Sequence, residues 1–191
     1  GGSTVAWKKV KNIFQKICSK NDHFSACVFF GKAGNGHFVK MVHNSIEYAF
    51  MQTLSEICLI LKECFDLNHK NQGKLLKDLC KTDIGCYLME ITAKVITAKK
   101  KNSYYIDFID NEIEQNGTGN WSVKTSLELG VSIPTIYAAV STRLLSKNFM
   151  SLRKKPLDNK YNNKKINIKK SIYDLILFNF LCSISQGLNI I

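Results

Sequence analysis

The chain has 191 residues, of which 45% are hydrophobic. That is enough for one cored domain, or for a domain with part of another, and it excludes wholesale disorder. The formal charge of +12, from 27 basic and 15 acidic residues, suggests an anionic partner but does not separate nucleic acid from a phosphorylated metabolite.

Only Arg143 and Arg153 of those bases are arginine, and many lysines stand beside asparagines, as in Lys147-Asn148 and Asn159-Lys160. Nucleic-acid readers lean on arginine for bidentate contacts, so the excess reads as compositional bias, with no nucleic-acid partner expected. The seven cysteines form no C-x-x-C pair and have no histidine at ligand spacing. This fits neither a disulfide framework nor a zinc site, and points to thiols of a reducing compartment. GGSTVAWKK lacks the apolar core of a secretory signal. The longest apolar run, Leu175 to Cys182, is broken by Asn179 and too short for a bilayer. A soluble cytoplasmic protein without a membrane partner is expected.

In chain order, Ser3 to Lys16 reads as a helix, with Ser3 or Thr4 as cap and Val5, Val10, Ile13, Phe14 and Ile17 at helical spacing. Ser25 to Gly31 reads as a strand. Helix, strand and glycine loop together look like the tail end of an α/β unit, although no later stretch supplies the other strands. Gly34-x-Gly36 imitates a dinucleotide fingerprint. Val39 fills the third small position, and no strand ending in an acid follows about twenty residues on, so the match is rejected. These glycines are expected to turn the chain from strand into helix.

From Asn35 to Asp66 the helical pattern is continuous. Within it Lys40, His43, Asn44, Glu47 and Tyr48 fall at i, i+3, i+4, i+7 and i+8, along one face. Phe38, Val39, Met41, Val42, Ile46, Ala49, Phe50 and Met51 surround them with apolar side chains. A helix apolar on most sides is normally buried, and buried charges must be paired or used. The stripe therefore suggests the wall of a functional cleft, the alternative being a solvated face on a surface helix.

Further helices are expected at Gln72–Cys80, Cys86–Lys99, Tyr104–Ile113, Trp121–Leu129, Pro134–Arg153 and Ser171–Ser185. Ser132 and Pro134 mark a start, Gly130 and Gly187 candidate stops. Everything after Gly31 thus reads as all-α. Lys154 to Lys170 is a lysine-rich block read as a solvated loop. A nucleic-acid or membrane patch there would have only Tyr161 for stacking.

Before the Trp121 helix, Asn116-Gly117-Thr118-Gly119-Asn120 places a threonine between glycines. Backbone N–H groups and a hydroxyl can then approach an anion, although a plain turn has the same sequence. Arg143 stands in the apolar stretch IPTIYAAVSTRLL, either paired with a buried carboxylate or waiting for a phosphate.

GNGHFVKMVHNSIEY resembles the signature G-A-G-H-F-V-K-M-V-H-N-G-I-E-Y of 6-phosphogluconate dehydrogenases. NGTGNW is similar to their K-G-T-G-K-W loop. Trp7, Phe14 and Gln15 fit their A-W-x-x-x-K-x-I-F-Q pattern, and the spacing of Arg143 from Thr118 matches their phosphate-binding arginine. The resemblance extends through SIYDLILFNFLCSISQGLNII. It implies a mainly α fold: residues 1–31 as the end of an NADP-binding Rossmann-type domain, and residues 32–191 as the helical substrate and dimerisation domain, truncated at its C-terminal end.

The implied reaction is oxidative decarboxylation of 6-phosphogluconate to ribulose 5-phosphate with reduction of NADP, in a homodimer and without a metal. Lys40 would be the general base, made neutral by burial and neighbouring positive charge. Glu47 would be the general acid. His43 and Asn44 would hold the sugar acid, and Tyr48, Thr118, Arg143 and the Asn116 loop its phosphate. The chain departs from the family pattern at Asn35, at Ser45 (usually Gly), at Ala49-Phe50 (usually Gly-Asp), and at Asn116 and Asn120, both usually Lys. The chain alone is expected to be catalytically silent and to self-associate. The alternative is a non-catalytic helical interaction protein derived from this domain; a third reading, a basic nucleic-acid-binding module, rests on charge alone.

Overall fold

The computed structural model describes residues 1–20, 24–110, 112–146 and 166–191. Among them are seven α-helices: α1 (Thr4–Ile17), α2 (Asn35–Glu63), α3 (His69–Leu79), α4 (Tyr87–Thr97), α5 (Thr118–Leu129), α6 (Pro134–Ser146) and α7 (Ile168–Leu188). Two short antiparallel strands, β1 (Lys99–Lys100) and β2 (Ser103–Tyr104), lie between α4 and α5. Apart from this strand pair and a 3-10 turn, the regular structure of the described residues after Gly31 is α-helical, as the periodicity predicts. Most of the lysine-rich block, and residues 147–153 of the helix expected at Pro134–Arg153, lie outside the described residues.

α2 is the axis of the molecule. Its 29 residues span about 43 Å at roughly 1.5 Å per residue, and both halves are buried against different partners. In the C-terminal half, Leu54, Ile57 and Leu61 join Leu76 and Leu79 of α3, Met89 and Ala93 of α4, and Ile172, Ile176 and Phe180 of α7. Phe50 stacks on Phe180 at 3.7 Å between ring centroids. In the N-terminal half, Met41, Val42, Tyr48 and Ala49 pack with Ile133, Ile136, Ala139, Val140 and Ile190. The buried positions of α2 recur every three or four residues, as in a helix packed on its neighbours, and Lys40, His43 and Glu47 stay outside the buried set.

Several expectations need correction. The Ser25–Gly31 strand does not form: an isolated bridge, Lys20 to Ser25, is all the pairing recorded there, since no neighbouring strand among the described residues offers a ladder. Trp7 of α1 instead stacks on Phe29, 5.7 Å away. The following turn is carried by Gly31 at φ 86° and Ala33 at φ 50°, rather than by Gly34 and Gly36.

Tyr104–Ile113 is not a helix. A 3-10 turn over Tyr105–Phe108 gives way where Asp110 accepts the Glu112 N–H at 3.3 Å and Ser146 accepts the Ile113 N–H at 3.0 Å. Side-chain acceptors of this kind compete with helix propagation. Gly187 is no stop either, because α7 runs to Leu188. A Cβ on Gly187 would lie 2.5 Å from Ile46 Cδ1, so glycine there lets α7 approach α2. Gly130, by contrast, ends α5 in the left-handed conformation at φ 67°.

Ser3 caps α1 through the Ala6 N–H. Ser132 does not cap α6. The side chain of Gln186 in α7 does so instead, its Oε1 accepting from Thr135 N (3.0 Å) and Ile136 N (3.4 Å). Among the described residues α7 is the one helix long and apolar enough to cross a membrane, a length that Leu175 to Cys182 alone does not reveal. Its buried row of Ile172, Ile176, Phe180, Ser183 and Gly187 faces the interior.

Candidate functional site

The side chains expected to form a stripe all lie on α2 and divide into two groups. Towards the N-terminal end, one imidazole nitrogen gathers two opposite charges. His43 Nδ1 is 2.9 Å from Lys40 Nζ and 3.3 Å from Glu47 Oε2, and Lys40 lies 3.9 Å from the same oxygen. Helical spacing alone brings these three together, since i, i+3 and i+7 share a face. Their side chains are 61% (Lys40), 54% (His43) and 40% (Glu47) exposed. The burial and positive neighbours expected to neutralise Lys40 are therefore not supplied by the described residues, whose charge beside it is a carboxylate. Asn44 is half-buried on the same helix.

The second group joins three elements. Tyr48 is buried, with 7% of its surface exposed, and its hydroxyl donates to Asn116 Oδ1 at 3.2 Å. The same oxygen accepts the Thr118 N–H at 3.2 Å and the Thr118 hydroxyl at 2.7 Å. Gly117, at φ 85°, caps α5 and bends the loop into this position. Gly119 then passes so close to α2 that a Cβ would sit 3.0 Å from the Tyr48 ring and 2.8 Å from Val140.

Arg143 arrives from α6. Its guanidinium lies 3.7 Å over the Tyr48 ring centroid, while NH1 donates to the Glu114 carbonyl at 3.2 Å and NH2 lies 3.8 Å from Met51 Sδ. No ion pair to a carboxylate is recorded for Arg143 among the described residues. Partial burial pulls its pKa below the usual arginine value, partly opposed by electrostatic attraction to the neighbouring Tyr48. A half-desolvated guanidinium with a ring and a carbonyl for company keeps donors available for an anion.

What the sequence did not disclose is how the two halves are locked together. Ser45 and Ser122 are both fully buried. Their hydroxyls meet between α2 and α5, and Ser45 also donates to Met41 O at 2.7 Å. The hint was a hydroxyl at a position whose neighbours Met41 and Ala49, four residues either side, are apolar. Asn120 is exposed beside the loop.

A long central helix enclosed by shorter ones, with a polar stripe at one end and a glycine loop against it, defines an all-α domain. The family model for the 6-phosphogluconate dehydrogenase C-terminal domain matches residues 36–191. The chain belongs to the 6-phosphogluconate dehydrogenase family. It is 39% identical over 147 residues to the decarboxylating 6-phosphogluconate dehydrogenase of Caenorhabditis elegans, covering 76% of this chain and 30% of that protein. Against the enzyme of Synechococcus elongatus it is 32% identical over 198 residues, covering 98% of this chain and 42% of that protein.

A solved structure of Plasmodium falciparum 6-phosphogluconate dehydrogenase superimposes with a TM-score of 0.89 at 28% identity, over all of this chain and 43% of that one. That enzyme was studied apo, with its cofactor NADP+ and with its substrate 6-phosphogluconate. The chain thus spans less than half the length of these relatives.

Proposed function

We propose that this chain forms the substrate-binding side of an enzyme that oxidatively decarboxylates 6-phosphogluconate to ribulose 5-phosphate. The observation that carries the reading is that α2 bears a Lys40–His43–Glu47 cluster and, two turns on, Tyr48, against which Thr118 of α5 and Arg143 of α6 bring further donors. Lys40 and Tyr48 are eight residues apart, about 12 Å along the helix. A sugar acid lying along α2 with its phosphate at Tyr48 brings its carboxylate end to Lys40.

In its neutral form Lys40 accepts the proton of the 3-hydroxyl, and the resulting 3-keto acid loses carbon dioxide. Glu47, protonated, returns a proton to the enediol carbon. His43 and Asn44 hold the sugar-acid oxygens, while Tyr48, Thr118 and Arg143 hold the phosphate and the Asn116 loop frames it. The described residues form no parallel-sheet crevice of the kind that seats a dinucleotide, so NADP is assigned to protein outside them; when bound it accepts the hydride. Residues 1–31 belong in this reading to the NADP-binding domain, and 32–191 to the substrate domain. α1 fits that division, since none of its residues is buried and Val5, Ile13 and Ile17 are largely exposed. Residues 1–191 alone are accordingly proposed not to produce NADPH.

Replacing Arg143 by methionine removes a charged donor while keeping an apolar stem. Hydrogen bonds to charged groups are worth roughly 1.5–3 kcal/mol, so 6-phosphogluconate binding should weaken about 10- to 100-fold by calorimetry. Unphosphorylated gluconate should be almost unaffected. Equal losses for both ligands would remove Arg143 from the phosphate site.

The enzyme is also proposed to be a homodimer through α7 and its neighbours. Phe178, Leu181 and Leu188 are 67%, 58% and 60% exposed, at spacings of three and seven residues that align them outwards. Such aligned apolar surface is normally covered. Sedimentation at micromolar concentration should find self-association, and Phe178→Glu should disperse it; a monomeric parent would contradict this surface.

A further inference from the structure

Three donors converge on a single oxygen in the loop before α5: the Tyr48 hydroxyl at 3.2 Å, the Thr118 N–H at 3.2 Å and the Thr118 hydroxyl at 2.7 Å. A backbone N–H can only donate, so the atom it meets is an acceptor, and this fixes the Asn116 carboxamide with its oxygen inward. Convergence of neutral donors on one oxygen is the arrangement that a bound oxyanion requires. Arg143, stacked on Tyr48 and without a recorded carboxylate among the described residues, supplies charge beside the same point.

We infer that the Asn116 carboxamide is an internal occupant of this cradle, standing where a phosphate oxygen would stand, and that it sets the affinity and specificity of the site. The inference rests on the phosphate reading above and deepens it. An amide in the family's lysine position suggests a weakened donor. The geometry gives it the opposite role, because its oxygen consumes the donors a phosphate needs. A phosphate must therefore turn Asn116 out before it binds.

The cradle does not depend on Asn116 for its shape. The Tyr48 ring is held by burial and by Arg143, the Thr118 N–H by the start of α5, and the Thr118 hydroxyl rotates freely. Deleting the occupant should then leave the donors in place and free. Asn116 is exposed, so its replacement does not open a cavity.

The test compares the parent with Asn116→Ala, Asn116→Lys and Asn116→Asp in the full polypeptide in which these residues occur. Each is titrated calorimetrically with 6-phosphogluconate and with gluconate, after circular dichroism has shown equal helicity. Removing one competing neutral hydrogen-bond acceptor converts to roughly a twofold to tenfold change in binding. Asn116→Ala should tighten 6-phosphogluconate by that factor and leave gluconate unchanged. Asn116→Lys should tighten it further by adding charge, and Asn116→Asp should weaken it more than tenfold.

If Asn116→Ala binds 6-phosphogluconate equally or more weakly while the parent discriminates it from gluconate, the occupant role is overturned and the phosphate site stands. If neither parent nor any variant distinguishes the two ligands, the phosphate reading falls and the inference with it.

Discussion

Lys40→Met, made in a polypeptide that also carries the dinucleotide-binding domain, should lower kcat for 6-phosphogluconate oxidation by about 10²- to 10⁴-fold. KM should change far less. The expectation follows from position: Lys40 is 2.9 Å from His43 Nδ1 and within ion-pair reach of Glu47, at the end of the stripe farthest from the phosphate donors. Lys40→Arg should not rescue the rate, because a guanidinium keeps its proton at any working pH and cannot serve as a base. A kcat within tenfold of the parent for Lys40→Met would remove Lys40 from the chemistry.

The largest structural effect should come from the other half of the same helix. Leu61 is fully buried, where α2 meets α3, α4 and α7. Leu61→Ala removes buried methyls and leaves a cavity, costing about 2–5 kcal/mol. For a domain of this size that corresponds to roughly 4–20 °C in Tm. Leu127→Ala is the control: at 77% exposure it should stay within about 0.5 kcal/mol. Urea unfolding of both variants reads the difference directly, and similar midpoints would mean that the α2 core is not the stabilising one.

Those two effects fall on one helix because α2 is both core and site, and this much was legible in the sequence. The apolar positions of α2 recur without interruption, and helical spacing alone puts Lys40, His43 and Glu47 together. No fold knowledge is needed when all partners are within two turns. The start of α5 at Thr118 was less legible, three residues earlier than Trp121, since it depends on Gly117 taking a left-handed conformation that many glycines could take. The 104–113 stretch departs from its expected helix for a local reason: Asp110 and Ser146 draw off backbone N–H groups that a helix would use.

The remaining features depend on contacts distant in sequence. Gln186 caps a helix some fifty positions earlier. Ser45 meets Ser122, and Arg143 finds the Glu114 carbonyl and the Tyr48 ring in place of a carboxylate. Residue type told that Arg143 needed company but could not say which. The inward oxygen of Asn116 is a rotamer choice made by three donors from two elements, so it has no signature in the loop sequence.

The most direct test of the proposed substrate site is a crystal structure of the protein soaked with 6-phosphogluconate. Phosphate oxygens are expected on the Tyr48 hydroxyl, the Thr118 N–H and hydroxyl, and the Arg143 guanidinium, with the sugar acid running along α2 so that its third carbon faces Lys40. Electron density with the phosphate seated on Lys40 and His43, or with the ligand bound away from α2, would contradict it.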